Sequence, residues 1–225
     1  DAASGVDGVT FEAYERDLAE NLTKLVERLK GKRYRAKLVR RVQIPKGQGK
    51  WRPLGIPAIE DKLVQMGAAK MLEAIYEQDF LNTNWGFRPG RGPQKASRVL
   101  AGRLVIGKYH WVVEADIRTF FDSISHDWMK RMLEERVDDR AFIRLIGKWL
   151  KAGVMQQGGR VEYPEMGTPQ GGVVSPILAN IYLHYVLDLW FERVVRKTSQ
   201  GQAMVMRFAD DFVAAFEQET EAQRF

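Results

Sequence analysis

The chain has 225 residues, 45% of them hydrophobic, which is enough for one large core or two small subdomains. It contains no apolar run of about 18 residues, and its first residues lack the pattern of a signal peptide, so neither a membrane span nor a leader is predicted. Because cysteine is absent, disulfides and cysteine-ligated zinc sites are excluded, and the cytoplasm is the expected compartment.

The net charge of +6 is divided unevenly along the chain. Residues 1–110 carry 21 basic and 12 acidic side chains, a net charge of +9, whereas residues 111–225 carry 14 and 17, a net charge of −3. Eleven basic residues and no acidic residue lie between Arg28 and Arg52. This run predicts a surface that binds phosphates, and a solvated face without a ligand is the alternative.

The first half is predicted to contain helices and one basic β-hairpin. Leucines at helical spacing predict a helix from Phe11 to about Lys30, with Thr10 as its N-cap and Gly31 as its end. The following elements are a hairpin with a mobile tip, a helix, a loop rich in Gly and Pro, and a second helix, at about 38–56, 59–80, 85–93 and 94–104.

The second half opens with an apolar strand at 111–117, in which alternation sends Val113 and Ala115 to one face and Glu114 and Asp116 to the other. Two helices, a hairpin turning at Gly158–Gly159, a long helix and a last hairpin follow, at about 127–135, 139–151, 154–163, 174–195 and 203–216.

Three aspartates occupy costly positions in these elements. Asp116 ends an apolar strand, and Asp210 and Asp211 lie in the turn of the last hairpin. Burying a carboxylate among apolar side chains costs several kcal/mol unless a cation or strong donors compensate. Divalent metal, Mg²⁺ above all, would hold such acids together and share its coordination with phosphates. Ordinary turn chemistry or a solvated strand end is the alternative for each aspartate taken alone.

The order and spacing of several motifs resemble reverse transcriptases. The segments 116–122, 167–176 and 208–211 are similar to three palm motifs of these enzymes. The upstream segments 5–9, 44–57 and 86–90 resemble the fingers blocks of the group II intron branch. The resemblance implies an α+β fold with fingers at 1–110 and an antiparallel palm sheet packed on helices at 111–225. The thumb would be absent, which predicts that the chain is a fragment.

The resemblance also implies roles for individual residues. Asp116, Asp210 and Asp211 would be catalytic and would bind two Mg²⁺ ions, which Mn²⁺ can replace. The nucleotide would be bound by four residues of the fingers and palm: Lys46, Arg52, Phe121 and Gln170. Among these, Phe121 would exclude a 2′ hydroxyl, although an ordinary core position is the alternative. The departure from the family pattern is Phe208, which stands where group II intron enzymes usually have Tyr.

The expected partners are an RNA template or intron RNA, a DNA primer and deoxynucleoside triphosphates, with no membrane and with self-association among the interactions. RNA would be bound by seven basic side chains: Arg33, Arg35, Lys37, Arg40, Arg41, Arg88 and Arg91. For Arg88 and Arg91 a structural role is the alternative. The implied function is RNA-directed DNA polymerisation, and an intron RNA-binding maturase is the competing hypothesis.

Overall fold

The computed structural model of the chain describes residues 3–47 and 49–225. It confirms the α+β class, since the described residues form helices and two β-sheets. The chain divides into two compact units, and each is built from two separate segments. Unit 1 runs to Met71 and resumes over Phe121–Ser175, whereas unit 2 holds Leu72–Phe120 and Pro176–Phe225. This division by packing does not follow the predicted functional boundary between residues 110 and 111.

Unit 1 contains a four-stranded sheet and the helices that precede and follow it. Its elements are α1 (Phe11–Glu15), α2 (Leu18–Lys30), β1 (Val39–Gly47), β2 (Lys50–Ile56), most of α3 (Ile59–Tyr76), most of α5 (Phe120–Ser123), α6 (His126–Glu134), α7 (Arg140–Leu150), β4 (Val154–Met155) and β5 (Val161–Glu162). The strand order is β2-β1-β4-β5, with antiparallel pairs except for β1 and β4, which are parallel. Both hairpins predicted in this unit are confirmed.

The predicted N-terminal helix is interrupted. The structure has α1 and α2 in place of one helix, because the backbone leaves the helical region at Asp17, with φ −119° and ψ 39°. Asn21 in α2 donates its side-chain amide to the Tyr14 carbonyl at 2.9 Å, which satisfies a group left open by the break. The predicted ends are confirmed, since Thr10 caps α1 through the amide of Ala13 and Gly31 terminates α2.

A buried group of hydrogen bonds lies in the core of unit 1. The hydroxyl of Tyr34 donates to the carboxylate of Asp61 and accepts from the indole nitrogen of Trp149 at 2.9 Å. The carboxylate also accepts from the backbone amide of Lys37 at 3.0 Å. Burial is the main cause that raises the pKa of Asp61. These bonds join the segment before β1 to α3 and α7.

Unit 2 contains a three-stranded antiparallel sheet packed on a long helical segment. Its elements are the end of α3, α4 (Pro93–Ile106), β3 (Trp111–Asp116), most of α8 (Ser175–Leu183), π-helical turns at His184–Asp188 and Phe191–Val195, α9 (Arg196–Thr198), β6 (Ala203–Phe208), β7 (Asp211–Phe216) and α10 (Glu219–Arg224). The strand order is β3-β7-β6. Phe191 packs with Val205 and Phe216 in the core between the helix and the sheet.

The sequence predicted the long helix of unit 2 as regular α-helix, and two π-helical stretches replace its second half. The buried face of the long helical segment carries Asn180, His184 and Asp188 among apolar side chains. No helix in the described part of the chain is both long enough and apolar enough to cross a membrane.

Candidate active site

The structure brings the three predicted aspartates together in unit 2. Asp116 is the last residue of β3 and pairs directly with Asp211, the first residue of β7. Directly opposed residues of an antiparallel pair point to the same face, with Cβ atoms about 5 Å apart. Asp210 lies directly before Asp211, in the two-residue turn between β6 and β7, and its carbonyl accepts from the backbone amide of Ile117 at 3.4 Å. Three acids therefore meet at one end of this sheet.

None of these three acids is buried. Asp116 and Asp211 are exposed and Asp210 is half-buried. They avoid the cost of burial because the strand ends border an open groove of about 650 Å³ between α4 and the sheet. Partial desolvation raises the pKa of the Asp211 carboxyl, and the charges of Asp116 and Asp210 and a side-chain hydrogen bond with Asp116 raise it further.

The carboxylates fit a divalent cation by their chemistry. Like charges at one place repel, and a hard cation with oxygen ligands would relieve the repulsion that perturbs Asp211. Over residues 3–47 and 49–225, however, no three carboxylate or imidazole groups stand together at metal-ligand distances. The donor set is thus suitable for Mg²⁺ or Mn²⁺ without being a preformed cage, as is usual for Mg²⁺ sites that share ligands with substrate phosphates.

In unit 1, the turn that carries Gln170 is docked on the basic hairpin. The Gln170 carbonyl accepts from the amide of Gly55 in β2 at 2.5 Å. A Cβ on Gly171, whose φ is +103°, would stand 2.7 Å from the Gly55 carbonyl oxygen, so this approach requires glycine. The hydroxyls of Thr168 and Ser175 bond to each other at 2.8 Å and close the turn. Gln170 is thereby fixed next to the strand that carries Arg52.

Phe121 belongs to the same unit and is half-buried. Its carbonyl accepts from the backbone amide of Thr168 at 2.7 Å, which joins the segment after β3 to the Gln170 turn. A Cβ on Gly167, at φ +89°, would stand 2.8 Å from the backbone of Asp122. The backbone of Phe121 is therefore held firmly, as a residue that selects a substrate by its bulk requires.

The predicted phosphate-binding residues of the hairpin are exposed to solvent. Lys46 and Arg52 are exposed, and Arg52 lies opposite Ile44 in the ladder. Lys46 lies where the register shifts between Pro45 and Gly47. A bulge of this kind bends a strand and re-aims a side chain.

The seven predicted RNA-binding residues divide into two classes. Arg33 and Arg35 are exposed and Arg41 is half-buried, with the side chains on the surface of unit 1. Lys37 instead forms a salt bridge with Asp7 at 2.8 Å, and Arg40 donates to the Ser4 carbonyl at 2.6 and 3.0 Å. These two basic groups tie the N-terminal segment to the hairpin.

Arg88 has the structural role that the sequence left as an alternative. It is 7% exposed, and it donates to both oxygens of Glu77 and to the carbonyls of Leu81 and Asn84. Arg91 is half-buried and donates to Asn82 and Asn84, and its guanidinium stacks 4.8 Å from the ring of Trp85. These arginines therefore hold the loop together from within, and most of the N–H groups of Arg88 are bonded to Glu77, Leu81 and Asn84.

A family model described as reverse transcriptase (RNA-dependent DNA polymerase) matches residues 44–225 of the chain. The chain belongs to the reverse transcriptase family. Within this family it matches the group II intron type of reverse transcriptase and maturase, as the sequence predicted. The carboxylates at the ends of β3 and β7 and the Gln170 turn all lie within the matched residues.

Curated relatives are similar over most of this reverse transcriptase chain. Protein YkfC of Escherichia coli (strain K12) is 36% identical, over 93% of the chain and 62% of that protein. The group II intron-encoded protein LtrA of Lactococcus lactis subsp. cremoris is 40% identical, over 76% of the chain and 29% of that protein. The chain thus spans less than two thirds of the length of these relatives.

Solved structures show the same fold. A telomerase from Candida albicans, solved with a fragment of telomeric RNA, superposes with a TM-score of 0.63 at 13% identity, over 95% of the chain and 42% of that structure. A partial Cas6-RT-Cas1–Cas2 complex gives a TM-score of 0.51 at 26% identity, over 94% of the chain and 34% of that structure. The predicted polymerase fold of fingers and palm is confirmed.

Three buried polar residues next to the turn between β6 and β7 were not predicted from the sequence. Asn180, Asp188 and Arg207 have exposed fractions of 0%, 0% and 1%. The signal that could have found them is their placement, because Asn180 and Asp188 interrupt an apolar helix and Arg207 sits in an apolar strand. Buried polar residues of this kind are rarely found without partners.

Proposed function

We propose that this chain carries the catalytic centre of an RNA-directed DNA polymerase of a group II intron or a related bacterial retroelement. The observation that carries the proposal is the pairing of Asp116 with Asp211 at the strand ends, with Asp210 in the adjoining turn. Acids from neighbouring strands that border an open groove are what transfer of a nucleotidyl group from a triphosphate needs.

The three carboxylates are proposed to bind two divalent ions, Mg²⁺ or Mn²⁺. When bound, the metal ions would activate the 3′ hydroxyl of a DNA primer and neutralise the leaving pyrophosphate. Asp116 and Asp210 supply oxygen ligands, and Asp211 adds negative charge that favours the cations. The exposure of Asp116 and Asp211 leaves room for substrate phosphates to complete the coordination.

Four residues of unit 1 are proposed to bind the deoxynucleoside triphosphate. Lys46 and Arg52 are exposed cations on a hairpin, suited to the triphosphate. Gln170 is fixed beside the hairpin by its backbone bond to Gly55 and would line the base. Phe121 would exclude the 2′ hydroxyl of a ribonucleotide.

RNA is proposed to bind the surface that includes Arg33, Arg35 and Arg41, chiefly through phosphates. Lys37 and Arg40 contribute less, because each already has a partner in the N-terminal segment. Replacing Arg35 and Arg41 with Gln should lower the slope of log Kd against log salt by about one to two, since each phosphate contact releases counterions.

The control for this experiment removes two exposed basic groups elsewhere, with Lys197→Gln and Arg224→Gln in unit 2. Filter binding with a structured RNA over a range of salt concentrations measures both slopes. An equal slope for the wild type and the Arg35/Arg41 variant would place the RNA contact elsewhere.

A maturase that folds intron RNA is the second candidate function. It is favoured by the basic hairpin and by similarity to the nuclear intron maturase 1 of Arabidopsis thaliana, which is 30% identical over 42% of the chain and 13% of that protein. Binding RNA does not need the carboxylates at the ends of β3 and β7, whereas polymerisation does.

Asp116→Asn in the complete protein separates the two functions. We expect the wild type to extend a DNA primer on an RNA template and the variant to lose this activity, because the amide removes a charged metal ligand. Splicing of the host intron RNA is measured on the same samples. A wild type that promotes splicing without any primer extension would replace the polymerase proposal with the maturase.

A further inference from the structure

Arg207 is a fully buried cation one residue before Phe208 and the catalytic turn. Its side chain is 1% exposed, and β6 places it on the face of the sheet that packs on the long helical segment. Phe208 pairs with Asp211, so these two residues share the opposite face. The side chains of Arg207 and Asp211 therefore lie on opposite faces of the sheet.

All five N–H groups of Arg207 are matched by acceptors. The Nε and Nη2 groups donate to the two oxygens of Asp188 at 2.7 and 2.9 Å. Nη1 donates to the side-chain oxygen of Asn180 at 2.9 Å, and Nη2 donates to its carbonyl at 3.3 Å. The remaining N–H of Nη1 donates to the carbonyl of Ala209 at 3.2 Å. A buried pair with this many bonds is geometrically specific.

The bond to Ala209 reaches the catalytic turn itself. Ala209 has a left-handed φ of +58°, a conformation that a residue with a side chain adopts at a cost. On its other side the turn packs against Gly86, where an added Cβ would stand 2.2 Å from the Ala209 nitrogen. The Gly86 carbonyl is in turn held by the side-chain amide of Asn180 at 2.8 Å. Asn180 thus connects both supports of the turn.

The π-helical stretch explains how one helical segment supplies both Asn180 and Asp188 as acceptors for Arg207. Asn180 and Asp188 are eight residues apart, which at 3.6 residues per turn leaves their side chains roughly 80° apart around a regular α-helix. A π-helical turn uses more residues, so the stretch His184–Asp188 reduces this difference. Both side chains can then face Arg207, as the hydrogen bonds show.

We propose that Arg207, Asp188, Asn180 and Gly86 form a network that positions the Ala209–Asp210 turn and thereby fixes where the carboxylates of Asp210 and Asp211 stand. These are positioning residues, which reach the reaction only through the turn. The expected effect on the reaction rests on the proposed polymerase function. Whether the network holds the turn can be measured in a protein without any activity.

Two variants of the complete protein disturb the turn by independent routes. Asn180→Ala removes one acceptor of Arg207 and the donor to Gly86 while it leaves the Asp188–Arg207 pair intact. Gly86→Ala keeps the side chains of Arg207, Asp188 and Asn180 and adds a methyl group against Ala209. The matched control is Tyr34→Phe, which removes a buried hydroxyl with two hydrogen bonds in unit 1.

Hydrogen exchange measures the turn directly. The amides of Trp85, Ile117 and Arg207 bond to the Arg207, Asp210 and Thr83 carbonyls and so surround the turn. In Asn180→Ala and Gly86→Ala we expect these amides to exchange about tenfold faster or more, while the far end of the sheet near Phe216 stays protected. In Tyr34→Phe their exchange should match that of the wild type.

Primer extension measures the catalytic consequence. A displaced metal ligand should lower kcat by about 100-fold, with the KM values for primer–template and deoxynucleotide little changed. Tyr34→Phe should keep kcat within about threefold of the wild type when equal amounts of folded protein are compared. The Mg²⁺ concentration for half-maximal rate should rise only in the two turn variants.

Two exchange results would overturn the inference. One is that the amides around the turn exchange at the wild-type rate in both turn variants, and the other is that amides throughout unit 2 exchange faster in both. A kcat that falls as much in Tyr34→Phe as in the turn variants would overturn it as well. If Asn180→Ala does not fold, the Gly86→Ala result decides. A wild type without polymerase activity would remove the proposed function, and the exchange comparison would still decide whether the network holds the turn.

Discussion

Replacing Phe121 with Ala is expected to lower the preference of the enzyme for deoxynucleotides over ribonucleotides by roughly 30–150-fold. This range corresponds to a steric exclusion of about 2–3 kcal/mol against the 2′ hydroxyl. The side chain can act in this way because its backbone is held by the bond to Thr168 and by the close approach of Gly167 to Asp122. A ring on a fixed backbone can move aside only by rotating its side chain.

The measurement is the ratio of kcat/KM for a deoxynucleotide to that for the matching ribonucleotide, on an RNA template with a DNA primer. Phe121→Tyr is the matched variant, because it keeps the ring and should keep the ratio. If Phe121→Ala lowers both efficiencies equally and leaves their ratio unchanged, Phe121 is a packing residue and the assignment of a sugar gate is wrong.

Local patterns in the sequence predicted the elements that position the site. Alternation in the strand from Trp111 separated Val113 and Ala115 from Glu114 and Asp116, and the structure confirms it, with the two acids exposed and the two apolar side chains half-buried. The Gly158–Gly159 turn, with φ of +96° and +87°, is likewise confirmed. Such features depend on neighbouring residues, so the sequence alone carries them.

Other properties depend on distant residues, and local patterns do not show them. The exposure of Asp116 and Asp211, for example, depends on the groove that α4 forms with the sheet. The assignment of Arg40 and Lys37 to RNA stays a prediction, and the structure adds that Ser4 and Asp7 from the N-terminal segment bind them. Charge runs show where basic residues are dense, and they do not show which of these residues already have partners.

The buried hydrogen bonds between Arg207 and the Ala209–Asp210 turn were missed for a related reason. The pattern of β6 places Arg207 on the buried face, where a charged residue requires a buried partner. The partner Asp188 is in a π-helical stretch, and helical periodicity does not reveal such stretches. A strictly α-helical pattern leaves Asn180 and Asp188 roughly 80° apart around the helix, so it did not indicate that both contact one guanidinium.

Asp210 carries the carboxylate in the turn between β6 and β7. In the complete protein, Asp210→Ala removes one of three acids proposed to hold the metal ions and should lower the rate of primer extension by at least about 1,000-fold. Glu219→Ala removes an exposed carboxylate of unit 2 that lies outside the site and serves as the control. Binding of RNA should stay close to wild type in both variants, because the basic surface of unit 1 is unchanged.

The most direct test of the proposed polymerase is RNA-templated extension of a DNA primer with deoxynucleotides and Mg²⁺, run side by side with wild type, Asp210→Ala and Glu219→Ala. We expect complementary DNA from wild type and from Glu219→Ala, no product above background from Asp210→Ala, and equal RNA binding by all three. Extension by Asp210→Ala at the wild-type rate would contradict the assignment of the catalytic carboxylates.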